Sequence, residues 1–156
     1  MPTGEQSPDI TFMRTALEEA ARATGIGEVP IAALIVRNGS ILACSHNYRE
    51  VWQDPTAHAE IIVIRAAAKA LNSWRLVDTT LYVTVEPCAM CLGAIILARI
   101  PRIVFGAPDP KAGACGSVLN FTNEPRLNHH VEVSGGLLEE ESQALLKQFF
   151  KQLRTE

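Results

Sequence analysis

The sequence has few aromatic residues, few cysteines and no long hydrophobic run. Aromatic residues make up 6% of the chain, and four cysteines occur in 156 residues, too few for a fold held together by several disulfides at this length. The longest uncharged apolar stretch, residues 89–98, has 10 residues, whereas about 20 are needed to cross a bilayer. We therefore expect no membrane span.

An excess of positive charge is also missing. Lys and Arg number 14 against 17 Asp and Glu, a net charge of −3, which excludes a general nucleic-acid coat that binds through many phosphate contacts. Only residues 29–75 and 99–126 carry a mild positive excess. The N-terminus has no basic patch followed by an apolar segment, so we expect no secretory signal and a cytoplasmic location.

Hydrophobic content of 47% suffices for one core, so we expect a single domain over residues 1–156 with its core at about 10–153. Apolar spacing predicts a helix over 10–24, capped by Asp9, and a hairpin of strands 29–36 and 40–45 around Asn38-Gly39. A loop is expected over 46–57. Further along, the pattern predicts strands over 79–85, 102–105 and 131–133, helices starting at His58, Cys88 and 138, and a long loop over 106–128.

This alternation of strands and helices indicates an α/β fold with three α-β-α layers and a mixed sheet of about five strands. The long loop between the last two strands is a candidate binding loop, because connections of that length more often carry function than plain linkage. Cys44 and Cys115 belong to no motif and are expected to be buried. The final helix, 138–153, carries Phe149 and Phe150, for which core packing is preferred over closure around a bound ligand.

The residues that indicate chemistry are His58, Glu60, Cys88 and Cys91. The two cysteines are three positions apart at a predicted helix start, so they share one face, and the positive helix end favours their thiolates. His58, at another helix start, adds a nitrogen ligand. One His and two Cys suit tetrahedral zinc, and three protein ligands rather than four are typical of catalytic zinc sites.

Glu60 is the predicted proton carrier of that site. It lies two residues beyond His58, so its side chain points elsewhere around the helix and need not bind the metal. Zinc lowers the pKa of a coordinated water from 15.7 toward about 7, and Glu60 can take the water's proton and pass it to a leaving amine. Taken alone, the Cys88/Cys91 pair is also compatible with a structural zinc knuckle, a redox pair or simple burial, but a redox pair leaves His58 and Glu60 unexplained.

The pattern His58-Ala59-Glu60 followed by Pro87-Cys88-Ala89-Met90-Cys91 resembles the zinc-dependent cytidine/deoxycytidylate deaminase superfamily. Within that superfamily, several flanking segments resemble the bacterial tRNA-specific adenosine deaminase family over about residues 10–153. They are residues 29–30, 54–61, 75–76, 80–88, 104–107 and 128–129.

The resemblance implies a cytidine-deaminase-like homodimer with one zinc ion per subunit. Its implied reaction is hydrolytic deamination of adenosine to inosine at the wobble position, 34, of tRNA-Arg(ACG), with the base flipped into the zinc pocket and the anticodon stem-loop as partner. By the same resemblance Asn47 contacts the target nucleoside, and Asp109 and Lys111 lie in the loop that contacts the anticodon. Residues 123, 126, 128 and 129 are further candidate RNA contacts.

The sequence departs from the family at positions that border the expected pocket. Ala32 stands where glycine is frequent, Tyr48-Arg49 where Arg-Pro is common, and Pro108 and Pro110 flank Asp109. Two prolines stiffen a loop, so the RNA preference can differ from that of the family. Two other functions stay open at this point: a deaminase of a free base or nucleotide such as guanine or cytidine, and a non-catalytic zinc module that binds RNA.

Overall fold

A five-stranded sheet organises the part of the chain that the structure, a computed structural model, describes, residues 7–155. The strand order is β2-β1-β3-β4-β5. β1 pairs antiparallel with both β2 and β3, whereas β3–β4 and β4–β5 are parallel. The strands are β1 Ala32–Arg37, β2 Ser40–His46, β3 Thr79–Val85, β4 Arg102–Ala107 and β5 Glu132–Ser134. The predicted mixed sheet of five strands is confirmed.

Helices cover both faces of this sheet. One face packs on α3 and α4, and the other on α1 and α5. Adjacent residues of β3 show the division, since Leu81 and Val83 face the first pair of helices and Tyr82 faces the second. The helices are α1 Pro8–Thr24, α2 Arg49–Trp52, α3 Ala59–Leu71, α4 Ala89–Leu97 and α5 Glu139–Thr155. The predicted three-layer α-β-α architecture is confirmed.

The start of α1 differs from the prediction. Ser7, not Asp9, is the N-cap, and its hydroxyl accepts a hydrogen bond from the Asp9 N–H at 3.2 Å. The Asp9 carboxylate instead accepts two hydrogen bonds from the Arg102 guanidinium, at 3.0 and 2.6 Å, and one from the Tyr82 hydroxyl at 2.6 Å. Asp9 therefore ties α1 to the sheet, a role that its neighbours in sequence do not reveal.

The prediction of a loop over residues 46–57 is wrong in its middle, where the short helix α2 forms. The helix begins after Tyr48, and its amide groups at Glu50 and Val51 donate to the carboxylate of Glu28, at 3.0 and 2.8 Å. Glu28 is fully buried and more than 20 residues away in sequence. A distant side chain thus satisfies the helix start, which local capping rules cannot indicate.

Other boundaries agree with the predictions to within a few residues. The first strand begins at Ala32 rather than at 29. In the long connection between β4 and β5, only isolated bridges form: Gly113 pairs with Cys88, and Cys115 pairs with Asn120. The expectation that Cys44 is buried is wrong: its side chain lies exposed on the edge strand β2. Within residues 7–155, no helix has the length and apolar character that crossing a membrane requires.

Candidate metal centre and active site

The candidate metal ligands meet where two helices begin. His58 is the N-cap of α3, Cys88 is the N-cap of α4, and Cys91 lies in the first turn of α4. Their ligand atoms all lie within 4.8 Å of one another. Among the residues that the structure describes, no fourth His, Cys, Asp or Glu joins this group.

The spacing of the ligand atoms fits tetrahedral zinc. His58 Nδ1 lies 3.7 Å from Cys88 Sγ and 3.5 Å from Cys91 Sγ. A tetrahedral zinc ion with bonds of about 2.1 Å to nitrogen and about 2.3 Å to sulfur holds such atoms about 3.6 Å apart. The donor set of one imidazole and two thiols therefore has both the chemistry and the spacing that this ion requires.

The two cysteines differ in how readily they lose a proton. The pKa of Cys88 is lowered to about 4, chiefly because the Cys91 thiol donates a hydrogen bond to it, and His58 adds to the effect. The pKa of Cys91 is raised, because its proton is held by Cys88 and because the side chain is buried. Cys88 is thus a ready thiolate, and binding of a cation displaces the proton of Cys91.

Glu60 lies beside this group but outside it. Its side chain is buried in the first turn of α3 and lines the cavity that His58 and Cys88 also border. Burial raises the pKa of Glu60 to about 7, against the opposing effect of nearby His58. A carboxyl group with a pKa in this range can both accept and release a proton near neutrality.

The cavity above the ligands has a volume of about 530 Å³. All seven residues that the sequence singles out for this site are close to it: six line it, and Cys91 lies buried beneath it in the ligand group. The walls come from the segment before β1, the turn into α2, the start of α3, the segment from the end of β3 to Cys88, the loop after β4, and α5. The lining residues are Val29, Ile31, Asn47, Arg49, His58, Ala59, Glu60, Val85, Glu86, Cys88, Pro108, Asp109, Pro110, Lys111, Ala112, Leu146 and Phe150.

Asn47 is fixed at one rim of the cavity by a carboxylate that the sequence analysis missed. Its amide nitrogen donates to Glu28 at 3.3 Å, and its amide oxygen accepts from the Arg49 N–H at 3.1 Å. Both Asn47 and Glu28 are buried. One amide hydrogen of Asn47 and a lone pair of its oxygen remain available to a ligand in the cavity.

The loop that carries Asp109 and Lys111 also lines the cavity, and Glu86 holds it. The buried Glu86 carboxylate accepts hydrogen bonds from the N–H groups of Asp109, Cys115 and Ser117, at 3.0, 2.9 and 3.1 Å, and from the Ser117 hydroxyl. Burial alone raises the pKa of Glu86, but these hydrogen bonds outweigh it, so the net pKa is lowered. Glu86 therefore acts as an anionic anchor for the whole loop.

The side chain of Asp109 forms hydrogen bonds within that loop. Its carboxylate accepts from the N–H groups of Lys111 and Ala112 at 3.0 and 3.2 Å, while the Lys111 side chain is exposed at the rim. A methyl group at Gly113 would overlap the Glu86 carboxyl group, so a larger residue there would push that carboxylate away from its hydrogen bonds. The segment of residues 108–113 is thus shaped by hydrogen bonds that converge on two carboxylates.

The adjacent phenylalanines of α5 divide between two roles. Phe149 is buried, as the core interpretation predicts, whereas Phe150 is 44% exposed and lines the cavity. Helical geometry explains the difference, since successive side chains are about 100° apart around the axis. The sequence contained an indication of this difference, because two adjacent rings on one helix cannot both face the same core.

This fold carries a His-Cys-Cys group that could bind a metal in a deaminase-type site, and the sequence pattern of the MafB19-like deaminase family matches residues 8–154. The chain is 51% identical to the tRNA-specific adenosine deaminase of Bacillus subtilis (strain 168), over 94% of this chain and 91% of that protein. It therefore belongs to the tRNA-specific adenosine deaminase family.

Solved structures agree with this assignment. A structure from studies of A-to-I editing by tRNA:A34 deaminases at the wobble position is similar, with a TM-score of 0.84 and 48% identity over 87% of this chain and 99% of that one. A guanine deaminase from Bacillus subtilis is more distant, with a TM-score of 0.62 and 31% identity over 94% of this chain and 93% of that one.

Proposed function

We propose that this protein catalyses the zinc-dependent hydrolytic deamination of adenosine to inosine at position 34 of tRNA, with tRNA-Arg(ACG) as its substrate. The main support is the convergence of His58, Cys88 and Cys91, at a spacing that suits zinc, with the buried carboxyl of Glu60 at the base of an open cavity. The family's members are named for this substrate class.

Each site residue has a distinct task in this proposal. His58, Cys88 and Cys91 hold one zinc ion per chain, which when bound supplies a nucleophile by lowering the pKa of water. A Glu60 carboxylate oxygen accepts the proton of the attacking water and delivers it to the amino group that leaves from C6 of adenine as ammonia. Oxygen thereby replaces nitrogen on the ring, and the product is inosine.

The two rims of the cavity provide recognition. Asn47, fixed by Glu28, presents amide hydrogen-bonding groups to the nucleoside, since its remaining donor and acceptor face no other described partner. Across the cavity, Asp109 and the exposed Lys111 face the RNA backbone, where the lysine can contact a phosphate. An opening lined by several separate parts of the chain admits a base that has been flipped out of the anticodon loop.

A substrate assay tests this proposal directly. Zinc-loaded protein is incubated with an arginine tRNA that carries adenosine at position 34, and inosine is measured by mass spectrometry. We expect inosine with the wild type and none above background with Glu60→Gln. Guanine, cytidine and free adenosine serve as competing substrates, and efficient turnover of one of these without inosine on tRNA would assign the protein to small-molecule deamination instead.

A non-catalytic zinc module is the other alternative, and spectroscopy of the cobalt-substituted protein distinguishes it. An open coordination position gives a d–d spectrum that changes when azide or another small anion is added, whereas a closed set of four protein ligands gives a spectrum that does not. We expect the change. An inert spectrum would contradict the proposed chemistry.

The same proposal includes the enzyme's organisation. We expect residues 10–153 to act as one catalytic domain, two copies to form a homodimer, and the enzyme to work in the cytoplasm, where tRNA is modified and thiols stay reduced. Analytical ultracentrifugation that gives only a monomer of 17.0 kDa would remove the homodimer.

A further inference from the structure

A column of three aromatic rings lies beside the candidate active site. His46 stacks on Tyr48 with ring centroids 4.3 Å apart, and Tyr48 stacks on Trp52 at 4.6 Å. The interplanar angles are 20° and 16°, so the three rings are nearly parallel. His46 is buried, whereas Trp52 is 53% exposed. The column therefore ends in an indole ring that is open to solvent.

The column is connected to the cavity through the backbone. Tyr48 donates its N–H to the Ala57 carbonyl at 3.0 Å, and Ala57 directly precedes the ligand His58. The residues on either side of Tyr48, Asn47 and Arg49, both line the cavity. Trp52 lies three residues beyond Arg49 on the same short helix, so the outer ring shares the side of α2 that presents Arg49 to the cavity.

The column is also held rigidly. Trp52 is the last residue of α2, whose first amide groups donate to the buried Glu28 carboxylate at 3.0 and 2.8 Å. The backbone N–H of Trp52 donates to the backbone carbonyl of Tyr48 at 2.9 Å. An exposed indole fixed in this way loses little conformational freedom when a planar group stacks on it.

We propose that Trp52 is a stacking subsite for an unpaired nucleobase next to the adenosine in the cavity, with Arg49 contacting the phosphate between the two nucleotides. This inference rests on the proposed RNA substrate. Bases of single-stranded loops are typically held by stacking on aromatic side chains, with arginine adding charge along the backbone. Tyr48-Arg49 departs from the pair common in the family, so the resemblance alone does not predict this column.

Kinetics of Trp52 variants on an anticodon stem-loop RNA with adenosine at position 34 give the first test. Stacking on one aromatic side chain is worth about 1–3 kcal/mol per base, so Trp52→Leu is expected to raise KM about 5- to 150-fold with little change in kcat. Trp52→Phe, which keeps a ring, should recover part of the loss. Trp74→Leu is the matched control, because Trp74 is 59% exposed and is not part of the cavity.

Fluorescence gives a readout that does not depend on turnover. The chain has two tryptophans, so in the Trp74→Phe protein Trp52 is the only indole, and stacking of a base should quench its emission. Stem-loops with an abasic nucleotide at position 33 or 35 identify the base. The abasic RNA that abolishes quenching should also raise the KM of the wild type. For Trp52→Leu, removing that base should not raise KM further, because the stacking contact is already lost.

The outcomes separate the two proposals. If the wild-type protein makes no inosine on the stem-loop, the proposed function fails, while quenching still tests the stacking. If inosine forms but Trp52→Leu has the KM of Trp74→Leu and no quenching occurs, the stacking subsite is refuted. The subsite is also refuted by two results found together: Trp52→Leu turns dimers into monomers, and it raises KM by the same factor on every abasic RNA as on the intact one. Trp52 would then pack against a second copy rather than against a base.

Discussion

The Glu86 anchor allows a quantitative prediction for the substitution Glu86→Gln. One carboxylate oxygen accepts from the Asp109 N–H and the Ser117 hydroxyl, and the other from the N–H groups of Cys115 and Ser117. A glutamine can keep the second pair with its oxygen. The amide NH2 group of the glutamine then faces the Asp109 N–H, which is left without an acceptor. The Ser117 hydroxyl can rotate to accept a hydrogen bond from that NH2 group.

A donor without a partner costs about 1–3 kcal/mol when buried, and the Asp109 N–H is partly buried, so we expect Glu86→Gln to lower the free energy of unfolding by about 1 kcal/mol. Glu86→Ala removes all four hydrogen bonds and should cost about 4 kcal/mol or more. Because the loop carries Asp109 and Lys111, the KM for the stem-loop RNA should rise in both variants, and more than kcat falls.

The assay is urea unfolding at a fixed concentration of free zinc, together with steady-state kinetics on the same preparations. Glu140→Gln, at an exposed position of α5, is the matched control that makes the same chemical change without these contacts. The reasoning is refuted if Glu86→Gln unfolds at the same urea concentration as Glu140→Gln and has the same KM.

Three further predictions concern the metal, the proton carrier and pH. Removal of zinc with a chelator should abolish inosine formation, and only added zinc or a similar cation should restore it; activity that survives verified metal removal would contradict a catalytic metal. Glu60→Gln should lose at least about 100-fold in kcat, a typical contribution of a general acid–base group, while zinc content measured by mass spectrometry stays at one per chain; loss of zinc instead would make Glu60 a ligand. The Arg102 guanidinium lowers the pKa of the Asp9 carboxyl, so the stability that this group contributes is present above its unfolded pKa and is lost as pH falls through the lower folded pKa. Asp9→Asn should therefore be about 1 kcal/mol less stable at pH 7, and in urea unfolding the difference should shrink as the pH falls below 3.8; a difference that does not depend on pH would exclude the ion pair as its source.

The sequence by itself determined the parts of this protein that depend on near neighbours. The spacing of apolar residues indicated the three layers, since period 3.6 and period 2 place side chains on one face of a helix or strand. His58, Cys88 and Cys91 were recognisable because each precedes or begins a helix, and the positive end of a helix favours the thiolate and the neutral imidazole that bind a metal ion. Glu60 followed from its distance of two residues from His58.

The tertiary structure alone decided which carboxylates serve the site and which serve the scaffold. Glu28 reaches Asn47 across 19 residues, Glu86 reaches Ser117 across 31, and Asp9 reaches Arg102 across 93. Nothing within a few residues of these side chains specifies their partners, because the contacts exist only once the sheet brings distant segments together. The sequence shows a carboxylate's chemistry, but the burial and hydrogen-bond donors that give it a role come from chain segments that meet only in the folded protein.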